Sequence, residues 1–154
     1  MAHQIARMNH DSGDLVLRTA STADAGDLFD LARLLATSAT PYRDAFDRVF
    51  ADILADTHQC LIVAEAPTRL VGYLYGLTHP AFHANGNIAW VEELYVEDVQ
   101  RGTGLGRRLM DRFEHWAQDT ADAQYIAVAT RRAHDFYRAI GYTESATYYK
   151  KDLP

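Results

Sequence analysis

Glu92-Glu93-Leu94-Tyr95-Val96-Glu97-Asp98-Val99-Gln100-Arg101-Gly102-Thr103-Gly104-Leu105-Gly106-Arg107 is the stretch on which the fold turns. Its first residues close a run from Ile88 that is rich in β-branched and aromatic side chains and has strand length. Leu105, Leu109, Phe113 and Trp116 then recur at helical spacing, which predicts a helix from about Gly104 to Gln118. A strand therefore feeds a glycine-rich turn, and the turn feeds a helix. Glycines let backbone N–H groups converge on one anion, and a helix N-terminus adds partial positive charge. Arg101 and Arg107 bring full charges to the same place. A phosphate or pyrophosphate suits such a turn; from the residues alone, a structural turn with a helix cap remains the alternative. No Gly-Lys-Ser/Thr follows the glycines, so this is not a P-loop. Gly102, Gly104 and Gly106 are spaced by two, so the dinucleotide pattern G-x-G-x-x-G is absent too.

Toward the N-terminus, Cys60–Ala64 is a continuous apolar run and Leu70–Tyr75 a second strand. Ala66-Pro67-Thr68-Arg69 between them predicts a hairpin turn. His79–Asn87, with Pro80, Asn85 and Gly86, reads as a loop before the strand Ile88–Val96. Earlier still, Leu15–Arg18 reads as a short strand, and Ser21 with Asp24 as a capping box. Leu28, Leu31, Leu34 and Leu35 give a first helix, and Phe46, Val49, Phe50, Ile53 and Leu54 a second. Beyond the quoted stretch come a strand, Tyr125–Ala129, and a short helix, Ala133–Ile140, ended by Gly141. Tyr148–Lys151 is expected as a last edge strand. Residues 1–14 are polar and without period, so a flexible tail is expected before one domain over 15–154. The order of elements implies a mixed α/β sheet with helices on both faces.

Composition sets the bounds. The 154 residues are 48% hydrophobic and carry 15 basic and 21 acidic side chains, a net charge of −6. Those values describe a globular chain able to bury a core of its own. The acidic balance argues against a nucleic-acid binder. No apolar run approaches the ~20 residues a membrane span needs, and the N-terminus has no signal-peptide core, so a cytoplasmic home is expected. One cysteine, Cys60, forbids an internal disulfide and reads as an inert buried thiol.

Arg101-Gly102-Thr103-Gly104-Leu105-Gly106 resembles the acyl-coenzyme A pyrophosphate loop of the GNAT N-acetyltransferases, Arg/Gln-x-x-Gly-x-Gly/Ala. Leu94-Tyr95-Val96 resembles the end of that family's fourth strand. Ala133-His134-Asp135-Phe136-Tyr137-Arg138-Ala139-Ile140-Gly141-Tyr142 resembles its second motif, Ala-x-x-Phe-Tyr-x-x-x-Gly-Phe/Tyr. The order of elements is similar from about Leu15 to Leu153. Two departures stand out: Glu97-Asp98 where the family often has Pro, and Thr130 where an Asn often precedes the second motif. The resemblance implies a mostly antiparallel sheet of six to seven strands, splayed between the fourth and fifth. It also implies an acetyl-CoA donor and an amine acceptor that meet in one ternary complex.

The family's roles carry over position by position. Backbone groups of Leu94, Tyr95 and Val96 would pair with the donor's pantetheine arm, and one N–H would polarise the thioester carbonyl. Arg101, Gly102, Thr103, Gly104, Leu105, Gly106 and Arg107 would hold the pyrophosphate, with Arg108 nearby and Thr130 as a further contact. Tyr137 occupies the position of the acid that protonates the leaving thiolate. An amine with a pKa near ~10.4 arrives protonated and needs a base. Glu92 and Glu93 are the candidates; strand alternation points them to opposite faces, so one at most should meet the substrate. Glu92, two before Leu94, is preferred, because some polyamine-acetylating members carry a glutamate there.

Weaker signals remain open. His79 and His83 are four apart but sit in the expected loop without a third ligand, so no metal is expected. Trp90, Tyr73, Tyr75 and Phe82 suit either an acceptor pocket or the core, and Tyr148-Tyr149 has the same ambiguity. The acceptor is expected to be a small cationic amine. A lysine or N-terminal acetyltransferase of proteins and a non-catalytic acyl-CoA or amine sensor are the alternatives, and homodimers are common in the family. Residues 1–96 hold 6 basic and 12 acidic side chains, whereas 97–154 hold nine of each. A basic donor loop beside an acidic acceptor half would steer a cationic amine.

Overall fold

The computed structural model describes residues 15–37 and 39–154; the expected tail over 1–14 lies outside them. The elements run β1 (Val16–Thr19), α1 (Ala25–Leu35), α2 (Arg43–Ala55), β2 (Gln59–Glu65), β3 (Leu70–Ala81), β4 (Gly86–Val96), α3 (Leu105–Asp119), β5 (Ala123–Val128) and α4 (His134–Ala139). One sheet has the order β1-β2-β3-β4-β5. Its first three pairings are antiparallel and β4–β5 is parallel. A parallel pair needs a crossover, and α3 provides it. Among the described residues, no helix is long and apolar enough to cross a membrane.

Both faces of the sheet are covered, which is why β2 reads as an unbroken apolar run. Ile62, Ala64, Leu74, Ala89 and Val91 pack on one face against Leu105, Leu109, Met110 and Phe113 of α3. Leu61, Val63 and Tyr73 pack on the other against Leu28 and Leu31 of α1 and Phe50 of α2. Cys60 lies in the first cluster, and burial pushes its thiol up to about 12.

Three expectations need correction. Among the described residues the sheet has five strands, not six to seven. Tyr148–Lys151 forms no strand. A strand exists only where a neighbour takes its backbone hydrogen bonds; this segment pairs with none, and the Tyr148 ring lies instead 6.4 Å from that of Trp90. Finally, His79–Ala81 continues β3 rather than forming a loop, paired as His79↔Ile88, Pro80↔Asn87 and Ala81↔Gly86.

The N-terminal corner is closed by charge. Arg18 of β1 reaches Asp24 at 2.7 Å and Glu65 of β2 at 2.8 Å. Asp24 is only 6% exposed and also accepts the Ser21 N–H at 2.7 Å, completing the expected capping box. The Arg18 guanidinium, aided by Ser21, lowers the Asp24 carboxyl to about 2. A carboxyl whose folded pKa lies below its unfolded value, near ~3.9, stabilises the fold above that value. The stabilisation is lost as pH falls from about 4 toward 2. Asp24→Asn should therefore lower stability at pH 7 by about 1–3 kcal/mol, and its deficit relative to the wild type should shrink over that acid window. Urea unfolding at pH 7, 4 and 2.5 checks it; a pH-independent deficit would remove the carboxylate from the explanation.

Candidate active site

The pairing of β4 with β5 ends at Val91↔Val128, whereas its pairing with β3 continues to Gly72↔Val96. Among the described residues, one edge of Glu92–Val96 therefore faces no strand. A cleft of about 890 Å³ opens there, bounded by this edge, the start of α3, the segment after β5, Tyr137 and the C-terminal end of α1. A sheet can fork in this way only where something other than a strand meets the freed N–H and C=O groups.

Within β4 the register slips. Tyr75 opposes Glu93 and Gly76 opposes Val91, which leaves Glu92 as the extra residue of a β-bulge. A bulge breaks the alternation of faces, and both residues line the cleft. They differ in setting. Glu92 is exposed. Glu93 is half-buried and accepts the Tyr73 hydroxyl at 2.7 Å. Burial raises the Glu93 carboxyl above the usual carboxylate range; the Tyr73 bond opposes this and the neighbouring Glu92 charge adds to it.

The glycine loop follows. A short 3-10 turn over Asp98–Gln100 leads to Gly102 at φ +77° and Gly104 at φ +86°. Gly104 is the N-cap of α3, and no side chain caps the helix. A Cβ built at Gly102 or Gly104 meets nothing within 4 Å among the described residues, so they leave the approach to the loop open. Gly106 is different: a Cβ there would stand 3.3 Å from the Phe136 ring, which holds α4 against the first turn of α3. Tyr142, donating to Glu114 at 3.0 Å, ties the other end of α4 to α3. The departure at Glu97 has a local reason: Glu97 pairs with Arg69 on the β2–β3 turn, and its N–H bonds the Val71 carbonyl at 3.0 Å.

Tyr137 is 8% exposed and lines the cleft. Its ring meets those of Phe136 and Tyr142 edge-on at 5.0 and 5.7 Å. Among the described residues, nothing engages its hydroxyl. Burial pushes the phenol up to about 12.

Leu94, Tyr95, Val96, Arg101, Gly102, Gly104, Leu105, Gly106, Arg107 and Thr130 all line the cleft. Thr103 and Arg108 do not. Thr103 donates its hydroxyl to the Gln100 carbonyl at 2.6 Å, and Arg108 reaches the Leu15 carbonyl at 3.3 Å. Arg101 is engaged locally, with Asp98 at 3.0 Å and the Val96 carbonyl at 3.3 Å. The Thr130 hydroxyl accepts the Ala133 N–H at 3.0 Å, which fixes the entry to α4. His83 meets the Tyr125 hydroxyl at 2.9 Å. Sequence inspection missed Arg131 and Arg132, which line the cleft directly after β5; their position next to Thr130 was the available signal. It also missed Leu34 and Leu35, which read as part of the first helix, and Thr37.

A family model described as "Acetyltransferase (GNAT) family" matches residues 27–142. The chain belongs to this family and is an N-acetyltransferase. It is 29% identical to the thialysine N-epsilon-acetyltransferase of Bos taurus over 147 residues, 82% of this chain and 83% of that one. It is 33% identical to an uncharacterised N-acetyltransferase of Methanocaldococcus jannaschii over 89 residues, 55% of this chain and 53% of the relative. Among solved structures, glucosamine-6-phosphate N-acetyltransferase from Arabidopsis thaliana superposes with a TM-score of 0.80 at 17% identity, covering 91% of this chain and 99% of that one. AAC(6')-Iy, solved with the bisubstrate analogue CoA-S-monomethyl-acetylneamine, gives 0.75 at 17% identity, over 90% and 99% of the two chains.

Proposed function

We propose that the protein transfers an acetyl group from acetyl-CoA to a primary amine of a small cationic acceptor, by direct attack in a ternary complex. The observation that carries this is the freed edge of Glu92–Val96 running straight into an open, uncapped helix N-terminus. Such a groove suits a ligand with an amide-bearing arm and a pyrophosphate. The AAC(6')-Iy complex with a CoA-containing analogue, on the same fold, supports the same donor. The bovine relative, by name, acts on an amine-bearing small molecule.

The residues present fit that donor. Backbone N–H groups of the first turn of α3, with Arg107 beside them, would hold the pyrophosphate. Leu94, Tyr95 and Val96 would take the arm as an added strand. The donor supplies a thioester, whose C–S bond breaks as the N–C bond to the amine forms. A β4 amide aimed at the developing oxyanion is worth roughly 2.7–4 kcal/mol in comparable sites. Glu93 takes the ammonium proton: its burial raises its proton affinity toward that of an effective base. Tyr137 gives a proton to the departing sulfur. Its own burial keeps it protonated, and the same dry surroundings raise the proton affinity of a thiolate leaving beside it. Glu92 is the second reading for the base, because it stands at the bulge where the cleft meets a smaller neighbouring one.

Thermal shift with acetyl-CoA, then thiol release on a panel of polyamines, aminoglycosides, amino acids and lysine peptides, tests the whole. No stabilisation by acetyl-CoA would sink the donor assignment. The base is resolved by pH profiles. The acid limb of wild-type kcat/KM should lie above the ordinary glutamate value near ~4.3. Glu93→Gln should abolish that limb and lower kcat/KM by about 10²–10⁴. The same loss in Glu92→Gln alone would hand the role to Glu92.

A further inference from the structure

The smaller cleft, about 360 Å³, is bounded by Trp90, Glu92, Thr130, Arg131, Tyr148 and Lys150. It shares Val91, Glu92, Ala129, Thr130 and Arg131 with the main cleft, so the two are continuous around the point where β4 and β5 part. Its chemistry is divided. Glu92 marks the end next to the fork. Arg131 and Lys150 supply two cations, and the Trp90 and Tyr148 rings, 6.4 Å apart and tilted by 33°, supply an apolar flank. Lys150 pairs with Asp152 at 2.8 Å, but both side chains are at least half exposed, so this pair contributes little and exchanges easily. Among the described residues, Arg131 has no ion pair.

We propose that this second cleft receives the far end of the acceptor, with Arg131 and Lys150 binding a carboxylate there. The acceptor is then a diamino carboxylic acid, acetylated on its distal amine, with its methylene spacer along Trp90 and Tyr148. This rests on the acceptor site proposed above and narrows it. An amino acid with a side-chain amine keeps a net positive charge, so the acidic Glu92–Glu93 end still attracts its ammonium group. A polyamine of equal length would instead press a second ammonium against two cations, and like charges discriminate strongly against a partner. Arginine suits the task because its planar fork meets a carboxylate through two parallel bonds.

The test compares acceptors that share an amine and differ only at the far end. L-lysine and L-ornithine should exceed cadaverine and putrescine in kcat/KM by tenfold or more. Lysine amide, which lacks the carboxylate charge, should fall toward the diamines. Arg131→Gln with Lys150→Gln should lower kcat/KM for lysine by at least tenfold more than for cadaverine, chiefly through KM. Arg131→Glu should invert the preference, and both side chains are exposed, so these variants should fold. Diamines turned over as well as or better than the amino acids, or equal losses on both classes, would overturn the subsite and leave the amine acetyltransferase assignment standing. Stabilisation by acetyl-CoA with no turnover of any amine would overturn both the small-amine acceptor and the subsite.

Discussion

Tyr137→Phe should lower kcat by about 10²–10⁴ while the fold and the KM for acetyl-CoA hold. The substitution removes one oxygen. The ring keeps its edge contacts to Phe136 and Tyr142 at 5.0 and 5.7 Å. Among the described residues no group bonds the hydroxyl, so its loss leaves no protein partner stranded, and stability should change by under about 1 kcal/mol. A large kinetic loss without a stability loss separates a proton donor from a packed aromatic. The pH dependence adds a second check. A phenol at about 12 stays protonated across the working range, so wild-type kcat should show no basic limb from this group below about pH 11. Wild-type kcat in the variant would remove Tyr137 from the chemistry.

Gly104→Val should raise the KM for acetyl-CoA by about 10–100-fold, with kcat at saturation within a few-fold of wild type. Gly104 sits at φ +86°, where a β-branched residue is a true outlier and any side chain costs roughly 1–2 kcal/mol. Relaxing toward negative φ would swing the first N–H groups of α3 off their common target. Hydrogen bonds to a charged partner are worth about 1.5–3 kcal/mol each, so one misdirected donor already accounts for such a change. Gly104→Ala should fall between the two. Calorimetric titration with coenzyme A measures the effect directly. Undiminished affinity in the valine variant would mean that the loop is only a structural turn, the alternative that its residues alone leave open.

The sequence is most legible where local rules and tertiary demands agree. Leu105, Leu109 and Phe113 announce α3 and are its buried face. Cys60–Ala64 announces a doubly covered strand, and both covers are there. The glycine spacing and the pair Phe136-Tyr137 mark the cleft because their roles depend on φ and on short-range position. What escaped depends on pairing across the chain. Whether Tyr148–Lys151 becomes a strand is decided by a neighbour's hydrogen bonds, not by its own residues. The slip between Tyr75 and Gly76 leaves no mark in the alternation of β4, so Glu92 and Glu93 could not be placed on one cleft beforehand. Thr103 and Arg108 matched the expected loop by position, yet their side chains found carbonyl partners elsewhere.

The bulge at Glu92 has a bearing on how such an enzyme changes over time. Glu93 is fastened by the Tyr73 hydroxyl, so altering it disturbs the second core layer. Glu92, the surplus residue, is exposed and, among the described residues, has no partner in the register with β3. Replacing it should leave the fold nearly indifferent while rewriting what the mouth of the cleft attracts. A supernumerary residue in a strand thus gives the scaffold one position at which a lineage can explore new acceptors without first surrendering stability.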